Sequence, residues 1–129
     1  MDLQSIYQKL QIQDMNQMQK SAYKTTENNT DVVLLSPTGS GKTLAFLFPV
    51  LRNLKKEATG IQALILVPAR ELALQIEQVF KSMGTDFKVT VCYGGHDKKI
   101  EVNNLRESPA VLIGTPGRLA DHIERETFR

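Results

Sequence analysis

The sequence has no tryptophan, one cysteine and only 6% aromatic residues, and its charges nearly cancel at a formal net +2. Each scarcity excludes something. Cys92 stands alone, so no internal disulfide can form and a disulfide-stapled secreted domain is excluded. The longest apolar runs, such as Ala63 to Pro68, fall far short of the ~20 residues that a bilayer-crossing helix needs. The opening Met1-Asp2-Leu3-Gln4 lacks the basic stretch and apolar run of a signal peptide, so the cytoplasm is the expected compartment. A pI near 8.7 is compatible with nucleic acid without arguing for it, because scattered solvated lysines give the same value. What remains is an ordinary globular composition, 41% apolar and 23% charged over 129 residues, enough for one domain or a large part of one.

Leu3, Ile6, Tyr7 and Leu10 recur at helical spacing, and a second helix is predicted from Asn16 to Thr26. The polar turn Glu27 to Asp31 leads into Asp31-Val32-Val33-Leu34-Leu35, an apolar, β-branched run that suits a strand buried on both faces. A helix over 44–54 follows, with Pro49 as a kink site. Further strands are expected at 63–67, 87–93 and 110–114, and further helices at 70–83, 98–107 and 117–125. In the helix over 70–83, Leu72, Ile76 and Val79 are expected to share the buried side. Strand and helix alternate, which predicts an α/β fold: a parallel sheet with helices on both faces. In such sheets ligands bind beyond the carboxyl ends of the strands. Gly, Pro and Thr clusters follow each expected strand, at 36–43, 68–70, 94–95 and 115–118, and are expected along one rim.

Ser36-Pro37-Thr38-Gly39-Ser40-Gly41-Lys42-Thr43 matches the phosphate-loop pattern G-x-x-x-x-G-K-S/T, with Ser36 at the first glycine. Gly39 and Gly41 let the backbone wrap phosphate oxygens and point successive N–H groups inward. A helix starting near Lys42 adds its positive N-terminal end. Lys42 would reach the β- and γ-phosphates, and the Thr43 hydroxyl would ligate Mg²⁺. The other clusters are ambiguous singly. Pro68-Ala69-Arg70 is either a proline stop before a helix or a phosphate contact through Arg70 and helix-initial N–H groups. Gly94-Gly95 is either a strand-end turn or part of the same track. Thr115-Pro116-Gly117-Arg118 is either a capped turn or a hydroxyl, free N–H groups and a guanidinium offered to phosphate. Gln19 is either an exposed helix residue or a carboxamide for an adenine edge. Cys92 reads as a small apolar strand residue, and His96 and His122 have no ligand or nucleophile partner at a recognised spacing, so neither is assigned a role.

The order of these motifs resembles the N-terminal RecA-like domain of DEAD-box RNA helicases, along essentially the whole chain. The resemblance implies a glutamine-motif segment over 1–30 and a phosphate-loop α/β core over 31–129. It implies ATP and Mg²⁺ as cofactors, with Gln19 reading the base and 36–43 the phosphates. It assigns sequence-independent contacts with an RNA backbone to Pro68, Ala69, Arg70, Gly94, Gly95, Thr115, Pro116, Gly117 and Arg118. Ala69 stands where the family usually has threonine, and Met15-Asn16 where Pro-Thr is common.

No Asp-Glu-Ala-Asp follows within the sequence, so nothing evident holds Mg²⁺ from its second side. The full-length protein is expected to be an ATP-dependent RNA helicase with a second RecA-like domain, and the 129-residue chain by itself to hydrolyse ATP negligibly. Strands left without neighbours are expected to favour homodimers or strand exchange. A DNA-directed superfamily 2 motor and a non-catalytic nucleotide- or RNA-binding module are the alternatives.

Overall fold

The computed structural model describes residues 2–125, which divide into two compact units. The first comprises residues up to Asn53 together with Ser82–Gly84, and the second Leu54–Lys81 with residues from Thr85 onward.

The first unit is helical. Helix α1, Leu3–Leu10, starts on Asp2, whose carboxylate accepts from Ser5 N, and ends at Gln11 in the left-handed region. Helix α2, Gln17–Asn28, packs against α3, Lys42–Asn53. The core is Ile6, Tyr7, Ala45, Leu47, Phe48 and Leu51, with Tyr7 meeting Phe48 edge-on at 5.9 Å. Arg52 locks α3 to the end of α2. Its guanidinium donates to Tyr23 O (2.6 Å) and Thr26 Oγ1 (3.1 Å) and lies 4.5 Å from the centre of the Tyr23 ring. Pro49 stays within a continuous α3 and is itself buried. Tertiary packing therefore outweighs the one helix hydrogen bond that proline removes.

The second unit is a three-stranded, all-parallel sheet of order β1-β3-β2, with β1 Ala63–Leu66, β2 Val89–Cys92 and β3 Val111–Gly114. The connecting helices are α4, Arg70–Ser82, α5, Lys98–Arg106, and after β3 comes α6, Pro116–Glu124. Central strand β3 is buried at all four positions, as expected for an apolar run between two neighbours. On one face Leu112 and Cys92 pack with Leu105 of α5 and Leu119 of α6. Leu64 and Leu66 pair with Leu112 and Gly114 and so share that face, yet they are 51% and 60% exposed.

Two expectations are corrected. Residues 32–37 carry no regular secondary structure and form no strand, and Val33 and Leu35 are 85% and 88% exposed. A strand needs a neighbour for its N–H and C=O groups, and among the described residues none of the three strands pairs with this run. In α4 the buried stripe is Ala73, Ile76 and Phe80, while Leu72 is exposed. Both stripes have helical spacing, and the larger Phe80 decides which one turns inward.

Candidate functional site

In the first unit the glycine-rich loop runs directly into the head of α3, which begins at Lys42. Gly39 and Gly41 have φ of +80° and +90°, a region that costs other residues about 1–2 kcal/mol. The loop is closed by hydroxyls. Ser40 Oγ donates to Pro37 O at 2.6 Å, which leaves the Ser36 hydroxyl to donate to Ser40 Oγ at 2.8 Å. Ser36 thus supplies a tie that a glycine at that position could not. Lys42 is exposed, Thr43 half-buried, and among the described residues Lys42 forms no ion pair. The first-turn amides of α3 have no helical carbonyl to bond, so N–H groups and a free ammonium converge on one small region. Space above Gly39 is open, with no atom within 4 Å of where a Cβ would stand. This donor set suits a polyphosphate.

Gln19 and Asn16 hold that loop from beside it. Asn16 caps α2: its Oδ1 accepts from Gln19 N (2.8 Å), while Gln19 Oε1 accepts from Asn16 N (2.9 Å). The same two side chains donate outward, Asn16 Nδ2 to Ser40 O (2.9 Å) and Gln19 Nε2 to Gly41 O (3.1 Å). Gln19 is only 5% exposed, and one N–H and one lone pair of its carboxamide remain for another partner. The fit to Gly41 is close, since a Cβ there would sit 2.6 Å from Gln19 Nε2. Asn16 is legible in sequence as the cap of an Asn-x-x-Gln capping box.

In the second unit, parallel pairing brings Leu66, Gly114 and Cys92 level. Pro68–Arg70, Gly94-Gly95 and Thr115–Arg118 therefore leave the sheet at one rim. Pro68, Ala69, Arg70, Gly94, Gly95, Pro116 and Gly117 are exposed there. Arg70 Nη1 lies 3.6 Å from where a Gly95 Cβ would stand. Thr115 N donates to Cys92 O (3.0 Å), and Gly114 must be glycine because a Cβ would meet Cys92 O at 2.6 Å. Arg118 departs from the pattern. Its side chain is 16% exposed and turned inward.

The reason is Glu101 of α5, which is fully buried. Its Oε2 accepts from Tyr93 N (3.0 Å) and faces His96 Nδ1 (2.8 Å); its Oε1 faces His122 Nε2 (2.7 Å) and accepts from Arg118 Nη1 (3.3 Å). A carboxylate only accepts, so the ring nitrogens facing it carry their protons. Both histidines, to which spacing assigns no role, are thus bonded to Glu101. Cys92, Glu101 and His122 bring ligand atoms within 4.8 Å of one another. Both Glu101 oxygens are nevertheless taken by donors, one of them a guanidinium that would repel a cation, so the cluster is a hydrogen-bonded hub. Burial, followed by the Glu101 charge, pushes the Cys92 thiol up to about 12. At the surface, Lys98 holds the Asp121 carboxyl below its usual value, and Lys20 does the same for Asp14. Sequence carried no signal for Glu101, because an acidic residue in a first helical turn reads as a solvated complement to the helix dipole.

The geometry defines a class first: an all-parallel α/β unit in a chain that also carries a glycine-rich loop at the head of a helix. Residues 16–129 match the family described as DEAD/DEAH box helicase, and the chain belongs to that family. The DEAD-box ATP-dependent RNA helicase CshA of Bacillus subtilis is 35% identical over 130 residues, covering 99% of this chain and 26% of its own length. The ATP-dependent RNA helicase DeaD of Escherichia coli is 41% identical over 104 residues, 78% of this chain and 16% of its own. Among solved structures, a yeast DEAD-box splicing factor superposes with a TM-score of 0.84 at 30% identity, covering 98% of this chain and 32% of that one. A hypothetical ATP-dependent RNA helicase from Sulfolobus tokodaii gives 0.82 at 28% identity, covering 97% and 37%. The fold is the RecA-like type of these helicases, and the chain spans about a quarter of the length of CshA and less of DeaD.

Proposed function

We propose that this chain is the ATP- and RNA-binding front portion of a DEAD-box RNA helicase, which in the full-length protein couples ATP hydrolysis to RNA remodelling. The observation that carries the reading is the loop 36–43, with its two left-handed glycines, closing onto the head of α3 beside an exposed Lys42. Its amides and Lys42 would bind the phosphates of ATP, and the Thr43 hydroxyl would hold Mg²⁺. The free donor and acceptor of Gln19 would meet the adenine edge. Bound Mg-ATP supplies the transferable phosphoryl group; the residues present bind and orient it. Pro68, Ala69, Arg70, Gly94, Gly95, Thr115, Pro116, Gly117 and Arg118 would form a track for an RNA backbone, reading phosphate and sugar instead of bases.

A second RecA-like domain would supply the charges that complete catalysis, so the 129-residue chain alone would turn over ATP negligibly. Its compartment would be the cytoplasm, and its exposed apolar run at 32–35 would be met by a further strand, in isolation from another copy. The test is titration of the chain with a fluorescent ATP analogue in Mg²⁺. Saturable binding that Lys42→Ala abolishes is expected. A folded chain that binds no nucleotide, or a 129-residue chain with robust Mg-ATPase activity, would refute the reading.

A further inference from the structure

We infer that Glu101 is the positioning residue of the RNA track, and that the Arg118 side chain acts through Glu101 and makes no contact with phosphate. The inference rests on the RNA-binding reading above and alters the role of one of its residues.

Two of the track's turns lie far apart in sequence, yet both are fastened to one carboxylate. Tyr93, whose N–H donates to Glu101 Oε2, immediately precedes Gly94-Gly95, and His96, on the same oxygen, immediately follows them. The glycine pair is thus pinned at both ends, and His96 stacks on Tyr93 at 4.8 Å. The other oxygen holds Arg118 and His122, one turn apart in α6, and so sets the first turn of that helix. There the amides of Gly117 and Arg118, with Thr115, are the groups a phosphate would meet. A buried carboxylate without donors is strongly unfavourable, so all four contacts must form together and the two turns are set relative to each other.

This arrangement commits the Arg118 guanidinium. With its side chain 16% exposed and bonded to a fully buried carboxylate, its charge neutralises Glu101. Arg70, exposed and beside Gly95, is the guanidinium left to face RNA. A binding surface built of backbone amides depends on turn geometry; in catalysis, where positioning matters in the same way, misplacement by about 1 Å costs up to about a hundredfold.

The experiment is fluorescence anisotropy with labelled oligo(U) in the presence of a non-hydrolysable ATP analogue, across a KCl series, for wild type, Glu101→Gln, Arg118→Met and the double variant. Wild-type binding is expected. Each single substitution should weaken RNA binding at least about tenfold, with affinity for the ATP analogue unchanged. The double variant should be no more than about twofold weaker than the worse single, as for two residues acting as one unit. The salt slope of Arg118→Met should equal that of wild type. A slope lower by about 0.7, the value for one lost single-strand phosphate contact, would overturn the inference, as would additive losses or Glu101→Gln binding within twofold of wild type. The slope of Arg118→Met decides the matter if Glu101→Gln fails to fold. Absence of RNA binding by wild type would instead remove the functional reading, and this inference with it.

Discussion

Replacing Gln19 separates two jobs that one carboxamide performs. In Gln19→Ala, the Asn16 N–H loses its acceptor and Gly41 O loses one of its two donors, keeping Ala45 N, while Asn16 Oδ1 still caps residue 19 N. Half a capping box is worth about 1 kcal/mol, and a neutral buried hydrogen bond about 0.5–1.5 kcal/mol. The better helix propensity of alanine returns a few tenths of a kcal/mol. The net loss is about 1–2 kcal/mol, which lowers the urea midpoint by about 1 M. Gln19→Glu keeps an acceptor for Asn16 N but cannot donate to Gly41 O, so it should retain part of that stability and still release the loop. Nucleotide titration then adds the functional readout. If the tie to Gly41 matters, both variants weaken ATP and GTP by similar factors. If the carboxamide serves only an adenine edge, ATP weakens and GTP does not. An unchanged midpoint together with unchanged GTP affinity would refute the loop-holding argument.

Other expectations follow from the same geometry. Gly41→Ala should destabilise more than Gly39→Ala, because both have positive φ but only the first drives a Cβ against Gln19; equal urea midpoints would contradict this. Arg52→Met keeps the aliphatic stem but removes two donors and the stacking over Tyr23, so a loss of about 2–4 kcal/mol is expected in thermal unfolding. Cys92 should stay unreactive toward a thiol reagent at pH 8 and react fully in urea. Because folding raises its thiol from 9.0 to about 12, the folded state holds the proton more tightly, and stability should fall as pH rises across that window. Sedimentation at tens of micromolar should show self-association of the chain, reduced by Leu35→Glu; a monomer with a cooperative melt would contradict it.

Most of the fold was legible because it is local. Helix boundaries fall within a few residues of their expected places, since Asn16, Asp97 and Pro116 mark starts in the sequence itself. The strands at Ala63, Val89 and Val111 were legible as short apolar runs between turn residues. The run at 31–35 has the same composition and failed for a non-local reason: apolar residues declare a preference for burial but do not supply the neighbour. The face of α4 was ambiguous because two stripes, through Leu72 and through Ala73, both have helical spacing. Within the candidate site, the loop 36–43 announced itself through glycine spacing. The attachments of Gln19 did not, because a carboxamide that holds a loop and one that reads a base look alike in sequence. Glu101 was invisible for a related reason, since nothing in a first-turn glutamate discloses that two histidines and an arginine from later and earlier in the chain will close over it.

The bonds from Asn16 and Gln19 to Ser40 O and Gly41 O join the head of one helix to the threshold of the next. Occupancy of the loop is then reported at a distance along the chain: any adjustment of the Ser40 and Gly41 carbonyls loosens or tightens the opening turn of α2. The Gln19 amide proton, sheltered by Asn16, would register it as a change in exchange rate.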